Sequence, residues 1–270
     1  ESDGMTLQLR DWSWVVVNFS GGKDSSACLL QVLQEAEQCG FPRDRIILSH
    51  QCLGRQEWKG TLQLVKDVAE KYKLPLHVTA YRNKDQKPLS LLEYVRKRGK
   101  WPDSSNRYCT SEFKRGPGNR VLTELRRQHP GHILQCFGFR AEESAARCKR
   151  SELSYNNRAS TAAWGVWDWL PIHKMREEEV WSAVRASGMP VHPAYALGMR
   201  RLSCVFCIFA PQAQLVLAGQ HNTELLEEYA KVEQEIGHDF QHHKPISRIL
   251  DVVRGHSRLE RDDTDDKWNM

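Results

Sequence analysis

Short apolar runs alternate with longer amphipathic stretches through the first half of the chain. A β-branched run at 14–19 is followed at 24–38 by apolar residues at helical spacing, which stop at Cys39-Gly40. The alternation continues with predicted strands at 45–48, 75–79 and 132–137 and predicted helices at 58–72, 89–97 and 119–128. Strands that alternate with helices are typical of parallel sheets with crossover helices. We therefore predict an α/β fold, a twisted parallel sheet with helices on both faces.

The pattern changes after Gly138. Residues 149–165 are polar with little apolar periodicity and are interpreted as a long ordered or semi-ordered loop. Helices are predicted at 177–187, 211–218 and 223–236, and the charged tail 258–270 is expected to fray. We predict one α/β domain over 1–210, followed by a helical C-terminal extension and charged tail over 211–270.

Composition narrows the class of protein. Hydrophobic residues make up 40% and charged residues 27% of the chain, and no apolar run approaches the ~20 residues of a membrane helix. Residues 1–5 lack the basic and apolar regions of a secretory signal, so a cytoplasmic location is expected. Because that compartment keeps thiols reduced, the eight cysteines are expected to be core residues, metal ligands or reactive thiols.

Positive charge is concentrated in clusters. The net charge of +5 is modest, and a basic run is often only a solvated surface. The clusters could also bind phosphates. They comprise residues 96–100, 126–127, 147 with 149–150, and 200–201.

The segment Ser20-Gly21-Gly22-Lys23-Asp24-Ser25 joins the first predicted strand to the first predicted helix. Adjacent glycines expose backbone amides beside the positive end of a helix, which is a common phosphate site, and Lys23 adds a cation. The alternative is a tight turn in which Ser20 or Asp24 caps the helix. The segment matches neither the Walker A loop nor the dinucleotide fingerprint G-x-G-x-x-G.

This hexapeptide resembles the S-G-G-x-D-S signature of the PP-loop, or N-type, ATP pyrophosphatases. Further segments are similar to those of relatives of phosphoadenosine-phosphosulfate (PAPS) reductase, and together they cover about residues 14–210. These are the L-G-x-x-E-W stretch at 53–58, the R-x-C stretch at 107–109 with Lys114 and Pro117, the G-x-R-x-x-E-S-x-x-R stretch at 138–147, and a closing region with Trp181, His192, Tyr195, Gly198 and Cys204-Val205-Phe206-Cys207.

The resemblance implies an enzyme that splits ATP into AMP and pyrophosphate and usually leaves the AMP on an acceptor. It implies Mg²⁺ bound mainly through the substrate phosphates, with Asp24 helping to orient it. Lys23, Asp24 and Arg140 are the expected catalytic residues. The expected nucleotide contacts are Ser20, Gly21, Gly22, Lys23, Asp24, Ser25, Glu57, Lys114, Gly138, Arg140 and Arg147. The alternative for Arg140 and Arg147 is a set of surface ion pairs with Glu142 and Glu143.

Cys204 and Cys207 form one C-x-x-C, which is a weak metal signal by itself. In the family, a cysteine at the place of Cys109 joins the later pair around an iron–sulfur cluster, and such clusters ordinarily take four thiolates. The resemblance therefore implies a 4Fe-4S cluster on Cys109, Cys204 and Cys207, with zinc as the alternative. A fourth ligand could come from Cys148, Cys52, Cys136 or a histidine, or one iron could stay open to hold sulfur. Cys28 and Cys39 are expected to be core residues.

Among family functions, the resemblance favours DNA phosphorothioation, in which adenylation activates a backbone phosphate so that sulfur replaces oxygen. The implied partners are nucleic acid, DNA rather than tRNA, and a cysteine desulfurase as sulfur donor, and an oligomer is compatible with the sequence. A sulfonucleotide reductase is an alternative, but such enzymes use a cysteine near the C-terminus and none follows Cys207 here. A tRNA thiolase and a non-catalytic nucleotide-binding subunit of a defence complex are the others. The Trp-rich segment 164–169 could stack on bases or belong to the core.

Overall fold

A computed structural model describes residues 8–260 of the chain. The expectations for residues 1–5 and for most of the charged tail concern positions outside this range. Backbone contacts divide the described residues into two compact units whose segments alternate along the sequence. Unit 1 comprises 8–50, 62–79 and 118–191, and unit 2 comprises 51–61, 80–117 and 192–260. The sequence-based domain boundary at residue 210 stays a prediction.

Six strands form one sheet in the order β3-β2-β1-β4-β6-β5. The strands are β1 Trp14–Asn18, β2 Ile46–Gln51, β3 Leu76–Thr79, β4 Ile133–Cys136, β5 Leu153–Tyr155 and β6 Val166–Trp169. β1 is parallel to β2 and β4, and β4 is parallel to β6. β5 pairs with β6 in the antiparallel direction. The predicted parallel sheet is therefore confirmed, apart from this one edge strand.

The strand order reverses at β1. β2 and β3 follow on one side of β1, and β4, β6 and β5 lie on the other. The loops that leave the carboxyl ends of β1 and β4 thus diverge from neighbouring strands. In open α/β sheets, such a switch point is where ligands bind.

Ten helices surround these strands in the described part of the chain. They are α1 Lys23–Cys39, α2 Thr61–Tyr72, α3 Leu91–Arg98, α4 Tyr108–Thr110, α5 Gly116–Gln128, α6 Ala145–Cys148, α7 Glu177–Ala186, α8 Gln212–His221, α9 Thr223–Ile236 and α10 Ile246–Val253. Short 3-10 turns occupy Leu9–Asp11, Arg43–Arg45, Gly54–Gln56, Ala141–Glu143 and Pro193–Tyr195, and a π-helical turn covers Ser111–Arg115. Across residues 8–260, every helix is too short or too polar to span a bilayer.

The core of unit 1 follows the two-residue period of its strands. Val15 and Val17 share a cluster with residues of α1 and α2, including Leu29 and Val65. Val16, between them, belongs to a second cluster with residues of α5. Helices therefore cover both faces of the sheet, as predicted. Each fully buried aliphatic side chain contributes about 1.5–3 kcal/mol relative to exposure.

Unit 2 has a separate, largely helical core built on aromatic side chains. Trp101 stacks on Tyr229 with ring centroids 5.3 Å apart, and Phe240 packs edge-on against Trp101 at 5.1 Å. The buried carboxylate of Glu233 accepts hydrogen bonds from the backbone amides of Phe240 and Ile246, at 2.8 and 2.7 Å. This acceptor fixes the loop that leads into α10.

Three local features differ from the sequence-based expectations. The segment interpreted as a loop at 149–165 contains β5, and α10 was not predicted. α2 begins at Thr61 rather than at 58 because Gly60 has a positive φ of 94° and the Thr61 hydroxyl donates to the Trp58 carbonyl. In the Trp-rich segment, Trp169 is buried in the core and Trp167 is half-buried.

Candidate functional site

The turn between β1 and α1 has the backbone geometry of an open anion site. Gly21 has a φ of +79°, a conformation that favours glycine. Gly22 is the N-cap residue of α1 and is extended, with φ −84° and ψ 159°. The alternative in which Ser20 or Asp24 caps the helix is therefore wrong. The N-cap position offers no side-chain oxygen to the first-turn amides, which leaves the helix end suited to an anionic ligand.

Two serines set the shape of this turn. The Ser25 hydroxyl donates to the Gly22 carbonyl at 2.9 Å and accepts from the Ser20 amide at 3.3 Å. Ser25 and Ser26 are both buried in the first turn of α1. These side chains are thus engaged in holding the loop, which explains why hydroxyl residues occupy positions 20 and 25.

The loop after β4 packs directly against the first turn of α1. A Cβ on Gly138 would lie 2.6 Å from both the carbonyl carbon and the oxygen of Asp24. Only glycine permits this approach without displacement of one backbone. The predicted site residues at 20–25 and at 138–147 therefore meet at the switch point of the sheet.

Three charged side chains meet at this contact. The Asp24 carboxylate lies 3.0 Å from Lys23 Nζ through Oδ2 and 2.7 Å from Arg140 Nε through Oδ1. Lys23 and Arg140 are only 2% and 3% exposed, so both cations are held away from bulk water. Burial by itself would raise the pKa of Asp24, but the charges of Lys23 and Arg140 outweigh it and hold that pKa below its usual range. Asp24 is therefore an ionised carboxylate between two cations at neutral pH.

A second layer of ion pairs surrounds this trio. Arg140 Nη1 contacts Glu142, and the Arg140 amide donates to Glu143 at 2.8 Å. Glu143 also pairs with Arg147, whose guanidinium lies over the Phe139 ring at 4.4 Å. Because Arg140 is buried, its pairs are not the surface pairs of the alternative interpretation. Arg147 is half-buried and closer to that description.

Two residues at this site were not predicted. Glu177 lies 3.5 Å from Lys23 Nζ through Oε1, and its amide donates to Glu142 at 2.8 Å. His173 Nε2 hydrogen-bonds the Arg147 carbonyl at 2.9 Å, and the carbonyl of His173 accepts from the Ala141 amide at 2.8 Å. Neither lies in a recognisable motif. A run of three glutamates at 177–179 in the first turn of a predicted helix was the only available signal.

Unit 2 brings together the other predicted residues. Cys204 forms a backbone bridge with Glu57, and the Val205 amide donates to the Gln56 carbonyl at 2.9 Å. The thiol of Cys204, followed by those of Cys207 and Cys109, raises the pKa of Lys114 against the effect of desolvation. Glu57 and Lys114, expected as nucleotide contacts, are thus grouped with the three cysteines.

The electrostatics of the cysteine group suit a bound cation. Removal from water raises the pKa of Cys204 to about 12 and also raises that of Cys207, while Lys114 opposes both shifts. In the protein alone these thiols keep their protons, and a metal that displaces the protons would be bound as thiolate. Sulfur donors supplied by two separate segments fit iron–sulfur or zinc ligation.

The other cysteines differ in surroundings. Cys136 is fully buried on β4 in the cluster that contains Cys28, and burial raises its pKa well above the ordinary value. Cys28 is fully buried in α1, as expected of a core residue, whereas Cys39 is half-buried. Cys148 is exposed, and Cys52 accepts from the Gly54 amide at 3.4 Å.

Comparison with known proteins gives one match that covers most of the chain. The family model for the phosphoadenosine phosphosulfate reductase domain matches residues 14–210. An uncharacterised protein of Methanocaldococcus jannaschii is 28% identical over 225 residues, which are 82% of this chain and 48% of that protein. The chain therefore spans about half the length of this relative.

Solved structures are similar at low identity. Phosphoadenylyl-sulfate reductase from Candida auris, a phosphate complex, is 19% identical with a TM-score of 0.46 over 70% of this chain and 80% of that one. The U34-tRNA thiolase of Methanococcus maripaludis, with its [4Fe-4S] cluster, is 13% identical with a TM-score of 0.41 over 91% of this chain and 72% of that one.

Proposed function

Because the chain belongs to the phosphoadenosine phosphosulfate reductase domain family, we propose that it cleaves ATP between the α- and β-phosphates and transfers the AMP to an acceptor. The acceptor would thereby be activated for sulfur insertion. One observation carries the proposal: Lys23 and Arg140 are buried on either side of Asp24 where the loops after β1 and β4 meet.

These residues suit the charge changes of the reaction. An acceptor oxygen attacks the α-phosphorus, the bond from the α-phosphorus to the bridging oxygen breaks, and pyrophosphate leaves with the bonding electrons. Cations fixed before the reaction stabilise that developing negative charge without reorganisation. Arg140 adds a planar set of donors that suits phosphate oxygens. Lys23 and Arg140 pair with Asp24 in the structure and would move to the phosphates when ATP binds.

Asp24 would then be available to the metal. Mg²⁺ bound to ATP is held largely by phosphates and waters and takes one or two protein carboxylates. Asp24 is ionised and lies in the first turn of α1, which fits a carboxylate of this kind. The residue would orient the metal-bound phosphates relative to the loop amides.

The cysteine group supplies the second part of the proposal. Cys109, Cys204 and Cys207 would hold an iron–sulfur cluster, which would provide an iron for sulfur binding when present. Zinc on the same thiols is the alternative. The grouping of these thiols with Lys114 supports a site that carries negative charge when loaded.

We propose a DNA backbone phosphate as the acceptor. Its non-bridging oxygen would take the AMP, and sulfur would then form a bond to that phosphorus while AMP leaves with the oxygen. A cysteine desulfurase would supply the sulfur. A tRNA base activated in the same way is the second candidate.

Pyrophosphate release from ATP tests the catalytic step. We expect Lys23→Ala and Asp24→Ala each to lower the rate at least 100-fold, the order found when a preorganised charge-stabilising group is removed. Lys66→Ala, at an exposed position on α2, is the matched control. Release at the parent rate by both loop variants would refute an ATP pyrophosphatase and leave a nucleotide-binding role.

Metal content tests the cysteine site. Protein purified without oxygen should contain iron and acid-labile sulfide, and Cys109→Ala should lose most of both. Cys39→Ser is the control, because Cys39 lies on α1 in unit 1. Stoichiometric zinc without sulfide would replace the cluster by a zinc site.

The acceptor is tested by mass spectrometry of nucleic acid from cells with and without the protein. Phosphorothioate linkages in DNA that depend on Lys23 would support the proposal. Thiolated tRNA bases with the same dependence would instead support the second candidate.

A further inference from the structure

Segment 80–117 of unit 2 carries more net positive charge than the entire chain. It contains ten Lys and Arg residues and four Asp and Glu residues, a balance of +6 against +5 for all 270 residues. The proposed function assigns no role to this charge. A role in holding the acceptor depends on the proposed function only through the choice of a nucleic acid as that acceptor.

The carboxylates of this segment are largely committed to local structure. Glu93 closes the capping box of α3 with Ser90. Asp103 accepts hydrogen bonds from the amides of Ser105 and Asn106, both at 2.7 Å. The acids therefore stabilise turns, while the exposed cations Lys97, Arg98 and Lys100 follow one another at the end of α3.

Aromatic rings hold two of the arginines in place. The Arg98 guanidinium lies 4.8 Å from the centroid of the Tyr108 ring. The Tyr108 hydroxyl donates to the Lys100 carbonyl at 2.6 Å, which ties the end of α3 to the segment that carries Cys109. Arg107 lies 4.4 Å from the centroid of the Phe209 ring. A guanidinium stacked on a ring keeps its donors free for a phosphate and loses less entropy on binding.

These arginines adjoin the cysteine group through both of its segments. Arg107 precedes Cys109 by two residues, and its partner Phe209 follows Cys207 by two. The Phe209 amide also hydrogen-bonds Cys207, where it counteracts the rise in the pKa of that thiol caused by burial. The cations therefore lie next to the place where sulfur would be held.

We propose that Arg98, Lys100 and Arg107 form a phosphate-binding surface for the backbone of the acceptor nucleic acid, beside Cys109, Cys204 and Cys207. Phosphorothioation changes the phosphate itself, so a surface that grips phosphates rather than bases places the reacting atom directly. Exposed cations spread over successive positions suit a repeating polyanion better than one small ligand.

Binding of a fluorescent 20-nucleotide single-stranded DNA, measured by anisotropy without ATP or Mg²⁺ at several salt concentrations, tests the surface. We compare the parent with Arg98→Gln/Lys100→Gln/Arg107→Gln and with a control of equal charge loss, Lys66→Gln/Arg127→Gln/Lys231→Gln, whose positions are all exposed. For three phosphate contacts, the slope of log K against log salt should fall by about 2, and affinity at 0.1 M salt by roughly ten-fold or more. The control should keep most of the slope.

A conservative variant separates charge from folding. Arg98→Lys/Arg107→Lys retains both cations and should recover most of the salt slope, whereas a merely structural role of the stacked guanidiniums would leave it as weak as the glutamine variant. Equal losses in test and control variants would overturn the surface and indicate diffuse attraction. Displacement of the DNA by poly-glutamate at equal charge concentration would overturn it in favour of an acidic protein partner.

The outcome is independent of the catalytic step. An RNA of the same sequence offers the same phosphates, so binding of both strands supports the surface, and their ratio ranks the acceptors. If the parent binds neither strand but releases pyrophosphate in a Lys23-dependent manner, the surface is refuted and the ATP pyrophosphatase stands. If DNA binding follows the surface but pyrophosphate release is absent, the reverse holds.

Discussion

Asp24 shows how one carboxylate organises the candidate ATP site. It pairs with Lys23 and Arg140, and the two cations hold its pKa below the value of about 3.9 for a free aspartate. A group whose pKa is lowered by folding stabilises the folded state above its unfolded pKa. That contribution is lost as the pH falls through the folded pKa.

We therefore predict that Asp24→Asn lowers the free energy of unfolding at pH 7 by about 2 kcal/mol, because two buried cations lose their charged acceptor. The difference from the parent should shrink as the pH falls below about 4, where the parent carboxyl is protonated in the unfolded chain and then in the folded one. Urea unfolding between pH 3 and pH 8 measures both. A difference that stays constant over this range would contradict the assigned ionisation of Asp24.

Gly138 is the residue whose identity the packing dictates most strictly. A Cβ there would lie 2.6 Å from the backbone of Asp24. We predict that Gly138→Ala destabilises the protein by about 1–3 kcal/mol, the usual range for overpacking, and slows pyrophosphate release by displacing the loop. Chemical denaturation and the release assay would measure the two effects.

Gly116→Ala is the matched control. Its Cβ would lie 3.5 Å from the Ser111 carbonyl oxygen, an ordinary contact, and alanine is the better helix former at the start of α5. It should therefore be neutral or slightly stabilising. Equal destabilisation by the two substitutions would argue against the close approach of Gly138 to α1.

The sequence anticipated those site residues that lie in contiguous motifs and missed those that do not. The loop 20–25 and the segment 138–147 could be recognised because phosphate loops need glycines and cations at fixed positions. Glu177 and His173 join the site only through the packing of α7 and its preceding loop, which leaves no local pattern. Glu57 and Lys114 were expected beside the nucleotide, whereas the structure groups them with the cysteines.

At the scale of elements, long periodic segments were predictable and short ones were not. β1 and α1 have strong patterns of their own. β5 has three residues, and its pairing partner β6 supplies the hydrogen bonds that make it a strand. α10 has eight residues, too few for an isolated helix to be stable, and it depends on its packing against α8 and α9.

Glu233 provides a test of this dependence on tertiary structure. Its carboxylate accepts from the amides of Phe240, Ile246 and Ser247, and so holds the start of α10. We predict that Glu233→Gln costs about 1–3 kcal/mol, since a neutral amide oxygen replaces a buried charged acceptor. Hydrogen exchange should accelerate in α10 before it does in α9.

Glu235→Gln is the control for this helix. Glu235 pairs with Arg96 at 2.6 Å, but both side chains are about a third or more exposed, so its loss should cost well under 1 kcal/mol. If the two variants had the same stability, the Glu233 hydrogen bonds would contribute nothing beyond those of a surface pair.

At the scale of the whole molecule, the chain builds two cores from alternating segments. The apolar clusters around the sheet draw only on unit 1, and the large aromatic cluster draws only on unit 2. Sequence patterns reveal that a residue is buried but not which core it joins, because that depends on contacts between distant segments. The candidate ATP residues at 20–25 and 138–147 fall in unit 1 and the cysteine group falls in unit 2.

This division predicts that the two sites respond separately in hydrogen exchange. ATP with Mg²⁺ should slow exchange at residues 20–26 and 138–147, by up to about 100-fold at a ligand concentration of 100 Kd, because only the folded loop binds the nucleotide. Cys204→Ser should instead accelerate exchange around residues 107–115 and 203–210, where the thiols lie. Lys23→Ala, which lacks the buried ammonium beside Asp24, should abolish the ATP effect and leave the exchange of the cysteine segments unchanged. Protection by ATP that appeared in the cysteine segments of the parent and vanished in Cys204→Ser would show instead that unit 2 supplies part of the nucleotide site, and Glu57 and Lys114 would then be its first candidates.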